Sequence, residues 1–173
     1  MKKLASLLLL VLASGSAFAQ GARASDGASV DSIVAALYDT ISGPAGKARD
    51  WDRLRSLFRN DGRMVVHSSG KDGVLNTRVL SLEDYITRVT PVFAKEGFYE
   101  SELARRGEEY GQIAQVFSTY EARHAPADKP FVRGINSIQL VNDGKRWWIS
   151  QLLWQPEGEK IPLPERYLKP QLN

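Results

Sequence analysis

The sequence predicts an α+β fold: one domain in which helices from the N-terminal half pack on one face of a curved antiparallel sheet. Two observations carry that reading. Apolar residues recur at three- and four-residue intervals in segments between Val30 and Phe93, whereas beyond Gly97 the chain turns to long strand-like runs. Within those runs, Phe131 to Trp154 holds two strands joined at Asn142-Asp143-Gly144. Asp-Gly is a strong hairpin signal because glycine accepts positive φ without a Cβ penalty.

The N-terminus reads as an address. Lys2 and Lys3 precede an apolar run from Leu4 to Leu12, and Ala17-Phe18-Ala19 supplies a small-x-small cleavage pattern. Residues 1–19 are therefore expected to be a signal peptide cut after Ala19, and the chain to be exported to the periplasm or beyond. The run is shorter than the roughly 20 apolar residues that span a bilayer, so no membrane attachment is expected after cleavage. Cleavage would leave 21 basic and 20 acidic residues, a balance with no electrostatic footprint for nucleic acid. The chain has no Cys, which removes disulfides, thiolate nucleophiles, a lipid anchor and Cys-ligated zinc together. Its two His are far apart, so neither a metal site nor a cofactor is expected.

Residues 20–28 are rich in Gly, Ala and Ser and predict a flexible leader. Val30, Ile33, Val34, Leu37, Tyr38 and Ile41 then line one face of a first helix, which Gly43-Pro44 stops. Asp50 caps a second helix with Trp51, Leu54, Leu57 and Phe58 on a shared face, broken at Asn60-Asp61-Gly62. Arg63 to His67 is short and β-branched, a strand leading into a polar loop at residues 68–73. Ser81-Leu82-Glu83-Asp84 matches a capping box for a third helix, which Pro91 should kink or end.

Four strands follow: residues 98–105, 112–123, 131–141 and 146–154, with connections at 107–111 and 125–130. Alternation places Gly134, Asn136, Ile138 and Leu140 on one face of the third, and Trp147, Ile149, Gln151 and Leu153 together on the fourth. Large apolar groups occur on both faces, so the helices should cover one and either the tail or a second subunit the other. Residues 156–173 carry Ile161-Pro162-Leu163-Pro164 and predict an extended tail lying over the body.

This element order, with the Arg133-Gly134-Ile135-Asn136-Ser137 strand and the Gly144-Lys145-Arg146-Trp147-Trp148-Ile149 hairpin, resembles the nuclear transport factor 2-like (NTF2-like) superfamily. Within it, the chain is similar to secreted bacterial SnoaL-like and lumazine-binding-type domains, over residues 29–155. The resemblance implies a cone-shaped sheet with three helices on its concave face, an apolar pocket between them, and a homodimer formed through the outer sheet face. The fold hosts isomerases, dehydratases, hydrolases and binding modules, so function is argued at the site. Ketosteroid isomerase-like members place an Asp base on the strand after the second helix, with a Tyr and a protonated carboxylic acid as oxyanion donors. Here that strand, Arg63 to His67, carries no carboxylate. The Asp-Arg-Asp pattern of limonene epoxide hydrolase-like members is not recognisable either, so the reading leans toward a binding domain rather than an enzyme.

His67 is the candidate catalytic residue, since a strand-end imidazole near neutral pKa can take a proton. Trp51, Tyr85, Tyr120, Trp148 and Trp154 are candidate walls of a pocket for a flat or apolar small molecule. Asn136 and Gln151 are amides in apolar strands and need partners, from protein or ligand. Arg133 either pairs with Glu121 across adjacent strands or holds a ligand carboxylate. Three functions follow: a small-molecule-binding domain, a general acid–base enzyme using His67, or a protein-interaction module.

Overall fold

The structure, a computed structural model, describes residues 23–69, 74–158 and 160–169. The expected signal peptide lies outside the described residues, as do most of the expected polar loop and the end of the tail.

Three helices, α1 (Val30–Ile41), α2 (Trp51–Leu57) and α3 (Leu82–Phe93), pack against a curved, unclosed sheet of six strands. The strands are β1 (Phe58–Ser69), β2 (Leu75–Ser81), β3 (Tyr99–Tyr110), β4 (Ile113–Arg123), β5 (Val132–Asn142) and β6 (Trp147–Pro156), in the order β2-β1-β6-β5-β4-β3. Every neighbouring pair is antiparallel except β1 and β6. The α+β expectation holds.

Each helix starts where its cap falls. Ser29 and Ser32 form a capping box for α1, and Ser81 and Asp84 form one for α3, each satisfying otherwise orphaned backbone donors. Asp50 accepts from the Arg53 amide at 2.9 Å and starts α2. Pro91 stands near the end of α3, which stops two residues later at Phe93. Arg49 closes the C-terminal end of α1: its guanidinium donates to the carbonyls of Ile41 (2.9 Å), Gly43 (2.6 Å), Pro44 (3.1 Å) and Lys47 (2.6 Å). That buried cation is spent on backbone.

Four expectations are corrected. The chain passes from α2 into β1 at Phe58, and Asn60-Asp61-Gly62 lies inside the strand, where the β1–β6 register shifts between Phe58 and Arg63. A second strand, β2, precedes α3. It was not legible because it is an edge strand: among its described side chains only Leu80 is buried, and Val79 is 60% exposed, so no hydrophobic period marks it. β3 runs on through Gly107 to Tyr110 and turns at Gly111 (φ +59), since backbone pairing with β4 needs no buried side chains. Finally, residues 24–27 of the expected leader form a 3-10 turn. Asp26 anchors it by a bidentate ion pair with Arg53 (Oδ2–Nε 2.7 Å, Oδ1–Nη2 3.0 Å), both side chains buried; Asp39 meets the same guanidinium.

The last hairpin forms where the sequence placed it. Gly144 has φ +89, and Asp143 accepts from the amides of Lys145 and Arg146 and from the Trp148 indole at 2.9 Å. The Trp148 bond, with the two amides, holds the Asp143 carboxyl down at about 2. The tail crosses the outer sheet face: Tyr167 stacks on Phe117 at 5.8 Å and its carbonyl accepts from Thr119 Oγ1 at 2.5 Å, burying Thr119.

Candidate functional site

Two β-bulges decide which side chains face the helices. In β5–β6, Gln139 pairs with Gln151 but Leu140 pairs with Ile149, leaving Ser150 as the extra residue. Strict alternation would have grouped Ile149 with Gln151 and Leu153; the bulge instead puts Leu152 and Trp154 on the inner face and turns Gln151 outward. In β3–β4, Leu103 is the extra residue, because Glu102 pairs with Tyr120 and Ala104 with Thr119. Glu100, Glu102 and Arg105 thereby share the inner face.

Between sheet and helices lies a cavity of about 260 Å³. Its aromatic walls are Tyr85, Phe93, Phe98, Tyr120 and Trp154; Leu37, Met64, Val132 and Leu152 add aliphatic surface. Tyr85 and Trp154 meet edge to face at 6.2 Å, while Phe93 stacks between Phe98 (4.9 Å) and Trp51 (6.3 Å). Glycine at 134 makes room for one wall. An ideal Cβ there would sit 2.8 Å from the Tyr120 ring and 2.4 Å from the Gln155 carbonyl.

The polar corner is Glu100 with Asn136. Asn136 Nδ2 donates to Glu100 Oε1 (2.9 Å) and to Tyr38 Oη (3.1 Å). Tyr38 therefore sends its own proton to Ser118 Oγ (2.6 Å), and Ser118 donates to Glu102 Oε1 (2.5 Å), a carboxylate already chelated by Arg105 (Nε–Oε1 2.9 Å, Nη2–Oε2 2.7 Å). This chain fixes the Asn136 amide, and so fixes the Glu100 carboxyl. No described cation pairs with Glu100, and its Oε2 accepts no hydrogen bond from a described group. Desolvation pushes this carboxyl up to about 7, against which the Asn136 bond pulls only weakly. Burial, then the Glu100 charge, raises the hydroxyl pKa of both Tyr85 and Tyr120, so both remain protonated at neutral pH. Neither hydroxyl has a hydrogen-bond partner among the described residues.

Of the residues singled out from sequence, Tyr85, Tyr120, Trp154 and Asn136 come together at this cavity. Trp51 backs its wall through Phe93. Gln151, Arg133 and Trp148 lie on the outer face: Arg133 pairs with Glu157 at 2.8 Å and Trp148 lies beneath Arg146. Glu121 does stand opposite Arg133 in the ladder, but it pairs with Arg123 instead. His67 is outside the cavity lining. Alternation turns it away from Met64 and Val66, and its Nδ1 is 3.0 Å from Thr77 Oγ1. Glu100 and Tyr38 were not singled out. The available signal was the Glu100/Glu102 spacing of two in an otherwise half-apolar strand, which puts both carboxylates on one face.

No protein-family model matches the chain, and no curated protein matches it. Solved structures do. A protein from Silicibacter pomeroyi, described as NTF2-like and of unknown function, superposes with TM-score 0.50 at 16% identity over 73% of this chain and 92% of that one. An NTF2-like protein from Methylobacillus flagellatus gives 0.50 at 14%, over 75% and 95%. The chain has the NTF2-like fold. A third neighbour in shape, from Parabacteroides distasonis and provisionally named a ketosteroid isomerase, gives 0.52 at 13% identity over 75% and 89%. The likeness is one of fold, and the NTF2-like cavity of this chain carries its own chemistry.

Proposed function

We propose that this NTF2-like domain binds a small apolar molecule in the cavity, with Glu100, Asn136 and the Tyr85 and Tyr120 hydroxyls as its polar recognition corner. The observation that carries this reading is Glu100: a carboxyl without a counter-charge, with one oxygen open to an apolar space. Glu100 is half-buried, its exposed part facing the cavity, and a carboxylate desolvated there without a partner costs stability, so a fold that needed only stability gains nothing from it. The basic start and apolar run of residues 1–19 support export of the domain. Indole ¹H–¹⁵N NMR tests the binding. The chain has four tryptophans, and single-ring compounds are expected to shift the Trp154 signal while leaving that of Trp148, on the outer face, in place. Leu152→Trp, which fills the cavity, should abolish the response. If no cavity-sized compound moves Trp154, the reading fails.

A second reading is favoured by the place of Glu100 in the apolar cavity without a counter-charge, where desolvation pushes its carboxyl up to about 7 and suits it to general acid–base work at neutral pH. It transfers the catalytic role first considered for His67 to Glu100, with the tyrosine hydroxyls as donors to a developing oxyanion.

A further inference from the structure

Glu100 stands in an unusual position for a carboxylate. From β5, Asn136 donates to it; from α3 and β4, Tyr85 and Tyr120 face the same cavity; from α1, Tyr38 bonds Asn136 and Ser118 rather than the carboxyl. The nearby charges are already engaged. Arg105 is chelated to Glu102, and Arg49 gives its donors to four carbonyls while its guanidinium lies 5.0 Å over the Phe93 ring. Among the described residues the corner therefore lacks a cation, and Glu100 Oε2 and two phenol oxygens are open acceptors on residues that line the one cavity.

We propose that the ligand is a small apolar amine, held as its ammonium ion against the Glu100 carboxylate, an assignment that rests on the ligand-binding reading of the cavity. An ammonium group supplies the missing charge and N–H donors for acceptors of this kind. The ring-lined walls favour a cation as well, since each aromatic face carries negative quadrupole density. A ligand carboxylate would be repelled by Glu100. Size narrows the class. An apolar cavity of roughly 150 Å³ accepts benzene, so 260 Å³ accommodates one ring with a short aminoalkyl arm.

The amine changes the protonation of the site, and this separates it from a neutral ligand. Free Glu100 is largely protonated below pH 7 and must ionise to hold an ammonium, so amine binding releases a proton at pH 6 and none at pH 8.5. Affinity should rise about tenfold from pH 6 to pH 8 and then level off. A ketone prefers the protonated carboxyl, so it takes up a proton at pH 8 and weakens as pH rises.

Isothermal titration calorimetry with 2-phenylethylamine, 2-phenylethanol and 4-phenyl-2-butanone, in buffers of different ionisation enthalpy, reads both properties on the wild-type protein. The expected result is at least tenfold tighter binding of the amine than of the alcohol at pH 8, proton release at pH 6, and loss of the amine preference in Glu100→Gln. Equal affinities for amine and alcohol, or tighter ketone binding with proton uptake, would overturn the amine assignment and leave the cavity reading standing. Binding of none of the three overturns both.

Discussion

Glu100→Gln is expected to stabilise the fold at pH 8 by roughly 3 kcal/mol while leaving it nearly unchanged at pH 4. The sign follows from linkage. Folding raises the Glu100 carboxyl from 4.5 to about 7, so the folded state holds its proton more tightly than the unfolded chain. Below pH 4.5 both states are protonated and the group costs nothing. Between 4.5 and 7 the unfolded chain ionises while the folded protein does not, and the stability this proton contributed drains away. Above 7 the loss is complete. Glutamine keeps the acceptor for Asn136 Nδ2 and removes the titration, so urea unfolding at pH 4, 6 and 8 should show the variant pulling ahead as pH rises. A wild-type and variant separated by the same amount at every pH would remove the uncompensated carboxylate from the account. A group that weakens its own fold at working pH is the usual mark of a site kept for binding or chemistry.

Arg53→Met is expected to cost about 3–5 kcal/mol, the largest loss among polar substitutions outside the cavity. Arg53 joins three pieces of chain: α2, on which it sits, Asp39 in α1, and Asp26 in the 3-10 turn before α1. Methionine keeps most of the volume but strands Asp26 as a buried charge with no partner. Asp26→Asn should cost less, because Arg53 retains Asp39 at the protein surface. Thermal unfolding of the two variants gives the order, and limited proteolysis should show cleavage near residues 24–28 in Arg53→Met alone. Equal, small losses in both would mean that the pair contributes little and that apolar contacts hold the turn.

Two helices were legible because caps and apolar periods coincide, Asp50 with Leu54 and Leu57 and Ser81 with Ile86 and Phe93; α1 was legible from its period and the Gly43-Pro44 stop. The β5–β6 hairpin was legible because Asp143-Gly144 marks its turn. What alternation could not show was a shift of one residue. Ser150 and Leu103 carry no sequence mark of a bulge, yet they decide that Leu152 and Trp154, not Gln151, face the cavity and that Glu102 meets Arg105. β2 was hidden for a different reason: an edge strand exposing Val79 and Arg78 and burying only Leu80 among its described side chains has no hydrophobic period to betray it. In the site, Tyr85, Tyr120 and Trp154 stood out as large aromatics and Asn136 as an amide in an apolar strand. Glu100 looked like one more charge on a strand of alternating charge, because its meaning depends on burial by α1, α3 and β4, which no local pattern reports. His67 attracted attention through its intrinsic pKa alone, and its neighbour across the ladder is Thr77 rather than the cavity.

The carboxyl itself gives the most direct measurement. With ¹³C-labelled glutamate and Glu100→Gln to assign the resonance, the side-chain Cδ of Glu100 should titrate with a midpoint near 7 in the ligand-free protein. A midpoint at 4 to 4.5, the range of an exposed glutamate, would mean that solvent or a counter-charge already satisfies this group, and the cavity would lose its recognition corner.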